Sequence, residues 1–482
     1  MECFMSNEQP NIVYLFSDQH RHDAMGCAGN NVVQTPGLDR LAGEGLRFSR
    51  TYCQSPICMP SRASVITGLY PHQTGILQNF VKDLNPQWPT MMKQLQQAGY
   101  YTSLFGKTHF WSLTRDMVKE GEIFDCRDKE ELIQRFGFDV SVEEFDRYVH
   151  CFPNVLTHYT EYLKSKGNWQ RYADQIKAIN RITPHHWDGV TSPLDQEDDL
   201  TSFIADRSMD WLKGYNGEKP FFMMTSFVAP HVPLMGDPIW AEYYQDKDIE
   251  LGPRTAPDIP NKIWGDFLAL CQKHSHSELL TDAYVKAGAR QYYAMISLID
   301  QKISEIVAML KEKGILENTW ILYSADHGEL LGDHNLMAKL NFYKSSVQVP
   351  AIIRPPKGMA GKVESGLTES IDLTATILDI AGADPLERSS GNSLLPFISG
   401  EGKPKEAAFS AIDFARYPDR SYMMTATDRY RYTLESESWT PCEFFDLQED
   451  PDELNNLVND ASVQGLMKDM DADLVKPYLA KE

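Results

Sequence analysis

The stretch that begins at Cys53, CQSPICMPSRASVITGLYPHQTG, combines a thiol, an arginine and the start of a helix. Pro60 suits a first helical turn, which puts Cys58 at the helix N-terminus with Arg62 one turn further on. The partial positive charge of a helix N-terminus favours an ionised thiol and a bound anion. The segment therefore predicts an anion site that carries a reactive cysteine, while a small core residue at a helix start would give the same pattern.

Ionisable side chains also follow four short apolar runs that have strand character. The runs are NIVYLF from Asn11, YTSLF from Tyr101, FFMMTSF from Phe221 and TWILYS from Thr319. The side chains that follow them, in the same order, are Asp18 and Gln19, Lys107 and His109, His231, and Asp326 and His327. Because ligands collect outside the carboxyl ends of the strands in an open sheet, these distant segments can converge on one site.

Helical patterns lie between the apolar runs, notably PTMMKQLQQAG and a long stretch from about Asp282 to Lys313 that Gly314 closes. This alternation predicts a large α/β unit with a mostly parallel sheet between two layers of helices. After about Gly400 short alternating runs and a helical tail from about Asp460 predict a small antiparallel sheet with a helix. We therefore divide the chain into a catalytic α/β domain, 1–395, and a C-terminal α+β subdomain, 396–482.

The region from about Asp125 to about Gly214 has no clear periodicity and is rich in histidines and aromatic residues. Insertions over the active face could shape a substrate pocket there, whereas solvated loop histidines are the commoner alternative. The candidate pocket residues, for each of which a structural or solvated role is the alternative, are His22, His72, His150, Arg181, His185 and His334.

Composition excludes several classes of protein. The chain has 482 residues, of which 68 are acidic and 46 are basic, and its net charge of -22 argues against nucleic acid as a partner. The start lacks a secretory leader, and no run approaches the ~20 apolar residues of a membrane span, so we expect a soluble cytoplasmic protein. The eight cysteines include no CxxC pair, so neither a zinc cage nor a disulfide framework is indicated.

The residues Cys58-Met59-Pro60-Ser61-Arg62, with Thr67 and Gly68 beyond them, resemble the maturation signature of the type I sulfatases in the alkaline phosphatase superfamily. Further resemblance runs from Asn11 to about Leu457 in the family's order, through TPGLDRLAGEGLRF, GKTH, APHVPL, ADHGELLGDH and FFDLQEDPDELNNL. It implies an alkaline phosphatase-like fold and a maturase that converts Cys58 to formylglycine. In the family the hydrated aldehyde attacks sulfur through one hydroxyl, and the other hydroxyl later loses its proton so that sulfate is expelled.

The same resemblance implies a role for each site residue. Asp18, Gln19, Asp326 and His327 would hold a divalent cation, with the matured residue 58 completing the shell. Hard oxygen ligands suit Ca²⁺ or Mg²⁺, and His327, which stands where many relatives have asparagine, makes Mn²⁺ more plausible; we expect Ca²⁺. Arg62 and Lys107 would hold the hydrated nucleophile, His109 would take its proton, and His231 with Lys339 would bind sulfate and assist the leaving oxygen, His231 as general acid.

We expect a sulfuric ester hydrolase for a small substrate, such as a sulfated mono- or disaccharide or another small sulfate ester. The alternative within the superfamily is a phosphonate monoester or phosphodiester hydrolase, because the Asp-Gln and Asp-His metal set is similar to theirs. A binding protein that keeps the fold without the chemistry is the second class of alternative. The sequence leaves open whether the chain is a monomer or a homo-oligomer.

Overall fold

The centre of this computed structural model, which describes residues 9–113, 121–182, 187–414 and 417–481, is a large and mostly parallel sheet. Within those residues its main strands lie in the spatial order Lys362–Glu364, Leu46–Tyr52, Gln348–Arg354, Thr319–Ala325, Asn11–Ser17, Phe221–Phe227, Tyr101–Lys107 and Val140–Glu144. The short strand Thr368–Glu369 pairs beside Leu46–Tyr52, and Gln348–Arg354 runs antiparallel to both of its neighbours. The four apolar runs predicted as strands are four consecutive strands at the middle of this sheet, which confirms the predicted fold class.

Both faces of the central strands are buried, which explains why their sequences are continuously apolar. In the Asn11–Ser17 strand, Val13 and Leu15 pack on one face, and Tyr14 and Phe16 pack on the other. The first face is covered by the helices Pro36–Gly43, Leu200–Gly214 and Asp282–Glu312. The second face is covered by the helices Cys58–Thr67, Met91–Gln97 and Ser370–Ala381.

Two of these helices were predicted from their periodicity, and both begin at a threonine cap. The Thr90 hydroxyl accepts from the Lys93 amide at the start of Met91–Gln97. The Thr281 hydroxyl accepts from the Tyr284 amide at the start of Asp282–Glu312. Each cap satisfies an amide that has no partner inside the helix.

The region 125–214 is more regular than its sequence suggests. It contains the helices Glu130–Gln134, His158–Ser165, Trp169–Ile182 and Leu200–Gly214, and its strand Phe124–Asp125 pairs with Val155–Leu156. The alternative of solvated loop histidines is wrong for His150, which is fully buried, donates from Nε2 to the Phe145 carbonyl and lies 3.2 Å from the Thr157 hydroxyl. A second small strand pair joins Val190–Thr191 with Met235–Gly236. The other described helices include Pro71–Thr74, Pro238–Tyr244, Lys344–Val347 and Leu395–Ser399.

The C-terminal region forms the predicted small antiparallel sheet, with strands Ala408–Phe414, Tyr417–Ala426, Tyr430–Glu435 and Thr440–Asp446 in chain order. One face packs on the helix Lys262–Ser275, where Phe267 and Tyr422 have ring centroids 4.5 Å apart. The other face packs on the terminal helices Gln464–Met470 and Lys476–Leu479. The division between residues 395 and 396 stays a prediction.

The cysteines that the structure describes are free thiols, and all of them except Cys27 are buried. None of the described helices is both long enough and apolar enough to cross a membrane. The cytoplasmic location stays a prediction.

Candidate functional site

The strand register brings two aspartates together at the carboxyl edge of the central sheet. Ser17 is paired with Ala325 in parallel register, so Asp18 and Asp326 follow the last paired residues side by side. The Asp18 amide donates to the carbonyl of Phe227 in the next strand at 3.2 Å. Adjacent parallel strands thus deliver their following residues to one edge, as expected for a ligand site in an open sheet.

Close backbone approaches shape the turns that follow these strands. A Cβ atom at Gly328 would lie 1.9 Å from the Ser345 carbonyl oxygen, so the turn after His327 accepts only glycine without a shift of the backbone. Gln19 has a φ of +68°, a left-handed conformation that is uncommon for a residue with a side chain. Its backbone is held there because its amide donates to Asp326 Oδ1 at 2.9 Å and its carbonyl accepts from the Tyr292 hydroxyl at 2.6 Å.

Cys58 is the first residue of the helix Cys58–Thr67, as the position of Pro60 predicts, and it is buried. Its Sγ atom lies 3.2 Å from His327 Nε2, 3.8 Å from Asp18 Oδ1 and 3.5 Å from Lys339 Nζ. The helix N-terminus and the lysine both favour negative charge at this position. The nucleophile predicted from the sequence therefore lies against the residues predicted to hold the cation.

Asp18, Cys58, Asp326 and His327 each contribute one ligand atom to a group in which all atoms lie within 4.8 Å of one another. His327 donates from Nδ1 to the Gly328 carbonyl at 3.0 Å, which leaves the Nε2 lone pair facing the group. Burial lowers the pKa of His327, so the imidazole is neutral and able to ligate. Two carboxylates and a neutral imidazole fit a divalent cation.

Gln19 is oriented by a residue that the sequence analysis missed. Its Nε2 donates to Glu329, which leaves Oε1 facing Lys339 Nζ at 2.5 Å, beside the group of ligand atoms. The Glu329 carboxylate is itself held by the amides of Leu331 at 2.9 Å and Ala338 at 2.5 Å. Glu329 thereby fixes the amide so that its oxygen faces the site.

Arg62 and Lys107 supply the positive charge around the two aspartates. Arg62 donates from Nε to Asp326 at 2.8 Å and from Nη2 to Asp18 at 3.2 Å. Lys107 Nζ lies 2.7 Å from Asp18 Oδ2 and also pairs with Asp146. Burial by itself would raise the pKa of Asp18, but the charges of Lys107 and Arg62 contribute to holding that pKa well below its usual value. Asp18 is therefore ionised and able to bind a cation.

The two predicted catalytic histidines differ in their surroundings. His231 Nδ1 donates to the Val232 carbonyl at 2.9 Å, and the same nitrogen lies 3.9 Å from Asp146 Oδ1. His109 is packed at a backbone φ of +56°, and its buried Nδ1 has no hydrogen-bond partner among the described residues. Burial first, and then the charge of Lys107, holds the pKa of His109 well below its usual value. His109 is accordingly neutral and can accept a proton.

A cavity of about 430 Å³ opens over Cys58 and Lys339. Its described lining includes Gln19 and His231 from the predicted site. The lining residues that the sequence did not assign to the pocket include Gln78, Asn79, Phe80, Asp146, Tyr148, Trp187, His274 and Asp413. Asp146 alone among these had a usable signal, because it follows the strand Val140–Glu144 as the other site residues follow theirs.

The histidines proposed for the pocket from the sequence lie elsewhere. None of His22, His72, His150 and His334 is among the described lining residues of this cavity. His72 packs against Tyr478 near the chain end, His334 stacks on Tyr343 with ring centroids 3.7 Å apart, and His22 is held in a buried environment that lowers its pKa. His185 and the side chain of Arg181 lie outside the described residues.

Comparison with known proteins identifies the family to which the chain is similar. The sulfatase family model matches residues 10–383, and the model described as "N-sulphoglucosamine sulphohydrolase, C-terminal" matches residues 332–478. An arylsulfatase of Clostridium perfringens is 27% identical over 94% of this chain and 90% of its own length. An N-acetylglucosamine-6-O-sulfatase of Bacteroides thetaiotaomicron is 25% identical over 96% of this chain and 85% of its own length.

The fold is shared more widely than these activities. The crystal structure of a phosphonate monoester hydrolase of Agrobacterium radiobacter superposes with a TM-score of 0.77 at 23% identity, over 97% of this chain and 95% of that one. Identity at this level establishes the fold rather than the substrate. The family match covers most of the chain, including the cysteine segment and all four strands that deliver the site residues. The chain therefore belongs to the sulfatase family of sulfuric ester hydrolases, within the alkaline phosphatase superfamily.

Proposed function

We propose that this protein hydrolyses a small sulfate ester, such as a sulfated mono- or disaccharide, through a nucleophile made from Cys58. The observation that carries the proposal is the position of Cys58 Sγ, which lies 3.2 Å from His327 Nε2 and 3.5 Å from Lys339 Nζ at the floor of the cavity. The sulfated-sugar substrate is supported by the similarity to an N-acetylglucosamine-6-O-sulfatase.

The residues around Cys58 can bind and orient a sulfate monoester. Lys339 and His231 line the cavity, where positive charge and a hydrogen-bond donor would hold the sulfate oxygens. His231 would donate a proton to the leaving oxygen as the general acid. His109, which burial keeps neutral, would accept the proton whose loss releases sulfate. A formylglycine hydrate at position 58, supplied by a formylglycine-generating maturase, would provide the attacking hydroxyl and a second hydroxyl for this release.

The cation would be held by Asp18, Gln19, Asp326 and His327, together with the matured residue 58. When bound, it would supply positive charge that stabilises the transferring sulfate group. We propose Ca²⁺, because most of these donors are hard oxygens, with Mn²⁺ and Mg²⁺ as the alternatives. The imidazole of His327 is the observation that favours Mn²⁺ over the other two. Metal analysis of protein purified without chelators would decide among them.

The first experiment measures the mass of the tryptic peptide 51–62 from protein made with a maturase. We expect an aldehyde in place of the Cys58 thiol, while Cys53 in the same peptide stays a thiol and serves as the internal control. An unmodified Cys58 after co-expression of a maturase that modifies a known sulfatase would overturn the proposed nucleophile.

The second candidate function is hydrolysis of phosphonate monoesters or phosphodiesters. The Asp-Gln and Asp-His donor set, which resembles that of such hydrolases, favours it. Comparing kcat/KM on aryl sulfate and aryl phosphonate esters with the matured enzyme separates the two functions. We expect higher values on the sulfate, and a preference for the phosphonate would replace our proposal with this one. A matured protein that binds these esters and hydrolyses none would instead be a binding protein.

A further inference from the structure

One wall of the cavity is a short segment fixed between the nucleophile's helix and the C-terminal sheet. We call residues 77–80 the bridging segment. At the helix end, the Met59 amide donates to Asn79 Oδ1 at 2.9 Å. At the sheet end, the Asp413 amide donates to the Leu77 carbonyl at 3.1 Å. Both ends of the bridging segment are therefore fixed, one to the helix that begins at Cys58 and the other to the C-terminal sheet.

Phe80 presents an aromatic ring at the mouth of the cavity. The residue is 56% exposed, although exposure of a phenyl ring to water is unfavourable. Its φ of +64° is a strained conformation for a bulky residue, and such strain concentrates where a ligand is held. The ring centroid lies 5.5 Å from that of His109, which places Phe80 beside the reacting end of the cavity. Exposure and strain together indicate a surface that a substrate covers.

Asp413 reaches the same cavity from the strand Ala408–Phe414 of the C-terminal sheet. The Ser421 hydroxyl donates to Oδ1 at 2.5 Å and fixes the carboxylate. Oδ2 has no hydrogen bond to any residue that the structure describes, and it is available to accept one. A carboxylate oxygen accepts most strongly from a cationic donor such as an ammonium group, and also from a hydroxyl.

Charge is distributed unevenly along the cavity. The described lining contains one lysine, Lys339, and it lies beside Cys58, where the sulfate would bind. The carboxylates in the described lining are Asp146, which is paired with Lys107, and Asp413, which has no arginine or lysine bonded to it among the described residues. A second sulfate or a carboxylate on the substrate would find no arginine or lysine besides Lys339 in the described lining and would be repelled by Asp413.

We propose that the wall formed by Phe80 and Asp413 selects a monosulfated amino sugar and rejects sugars with a second anionic group. The apolar face of the pyranose ring would lie on Phe80, and its amine would donate to Asp413. This inference rests on the proposed sulfatase function and adds to it the chemistry of the alcohol.

Three sulfate esters test the selectivity with matured wild-type enzyme: glucosamine 6-sulfate, glucosamine 2-N,6-O-disulfate and 4-nitrophenyl sulfate. We expect kcat/KM for glucosamine 6-sulfate to exceed that for the disulfate by about tenfold or more, since one unmatched charge costs at least that much. A preference for the disulfate would overturn the inference and leave the sulfatase function standing. Failure to hydrolyse all three esters would overturn both.

Variants then assign the selectivity to the two residues. Asp413→Asn should lower the ratio of kcat/KM for glucosamine 6-sulfate to kcat/KM for 4-nitrophenyl sulfate about tenfold, mainly by raising KM for the sugar. The aryl ester should be unaffected, because it has no amine that could bond to Asp413. Phe80→Ala should raise KM for the sugar, and Phe80→Tyr should restore it, because tyrosine keeps the aromatic face. Asp428→Asn, an exposed carboxylate in a turn of the same sheet, is the matched control and should leave the ratio unchanged. Equal ratios for Asp413→Asn and Asp428→Asn would overturn the role of Asp413.

Discussion

Arg62 and Arg431 each lie buried between two carboxylates, one at the edge of the central sheet and the other in the C-terminal sheet. Arg62 bonds Asp18 and Asp326 at 3.2 and 2.8 Å. Arg431 bonds Glu443 and Glu453 at 2.8 and 2.5 Å. All four carboxylates are buried. By charge and burial alone the two clusters are hard to tell apart.

The clusters differ in the ligand atoms and the open space that remain once the ion pairs have formed. Around Arg431, the second oxygens are taken, because Glu443 accepts from the Tyr343 hydroxyl and Glu453 from the Lys344 amide. The cavity beside that cluster has a volume of about 10 Å³, about enough for one water molecule. Around Arg62, a thiol and an imidazole nitrogen also converge, and a cavity of about 430 Å³ opens over them. Surplus ligand atoms and room for a substrate, rather than buried charge, distinguish a reaction site from a structural network.

The largest effect that this comparison predicts is loss of turnover in Cys58→Ala. Removing the nucleophile should lower kcat/KM on 4-nitrophenyl sulfate by about 10³-fold or more, with the melting temperature nearly unchanged. Cys53→Ala, in the same segment and equally buried, is the control and should keep its turnover. Full activity of Cys58→Ala would contradict the mechanism.

The next largest effect is on the free energy of unfolding and concerns the cluster around Arg431. Arg431→Met leaves two buried carboxylates without their cation and should lower the free energy of unfolding by about 3–5 kcal/mol. Denaturant unfolding measures this loss. Turnover per folded molecule should equal that of the wild type, because Arg431 is not among the described residues that line the active cavity. A loss of kcat in the folded variant would mean that the two clusters are coupled.

A smaller effect is expected for the residue that orients Gln19. Glu329→Gln should weaken binding of the divalent cation by about 10–100-fold. The new amide oxygen would stay with the Leu331 and Ala338 amides, so an NH2 group, which cannot accept, would face the Gln19 amide. Titration of the metal-free protein, followed by the rise in melting temperature, measures this affinity. Glu453→Gln is the matched control from the structural cluster, and it should reduce stability without changing the affinity for the cation. Equal affinities for the cation in the wild type and both variants would contradict the role of Glu329 in orienting Gln19.

The smallest effect concerns a buried carboxyl that has no arginine or lysine bonded to it among the described residues. Burial raises the pKa of Glu144 from 4.5 to about 8. The folded protein therefore keeps this proton up to about pH 8, while the unfolded chain loses it above about pH 4.5, so stability falls as the pH rises between these values. Glu144→Gln should remove that fall, and its stability relative to the wild type should increase by roughly 1–3 kcal/mol from pH 5 to pH 8. Chemical denaturation at both pH values tests this, and a constant difference would contradict the shifted pKa.

Much of the fold could be predicted from the sequence, because local patterns indicate the buried strands and the helix ends. A continuous apolar run such as FFMMTSF reports burial on both faces of a sheet, and Gly99 and Gly314 mark the ends of predicted helices. The region 125–214 was predicted poorly, because the short helices Glu130–Gln134 and His158–Ser165 and short strands interrupt the pattern around its two longer helices. His150, for example, is held by the Phe145 carbonyl and Thr157 inside that packing.

The sequence by itself predicted the reactive side chains of the candidate site, because local patterns mark the strand ends and the helix start at which they lie. Asp18 and Asp326 follow strands, Lys107 ends a strand, and Cys58 begins a helix. Only the tertiary structure decided which other residues join them. Glu329, Phe80 and Asp413 reach the site through a turn, the bridging segment and a strand of another sheet. No local pattern encodes such contacts, and the one between Gln19 and Glu329 joins residues 310 positions apart.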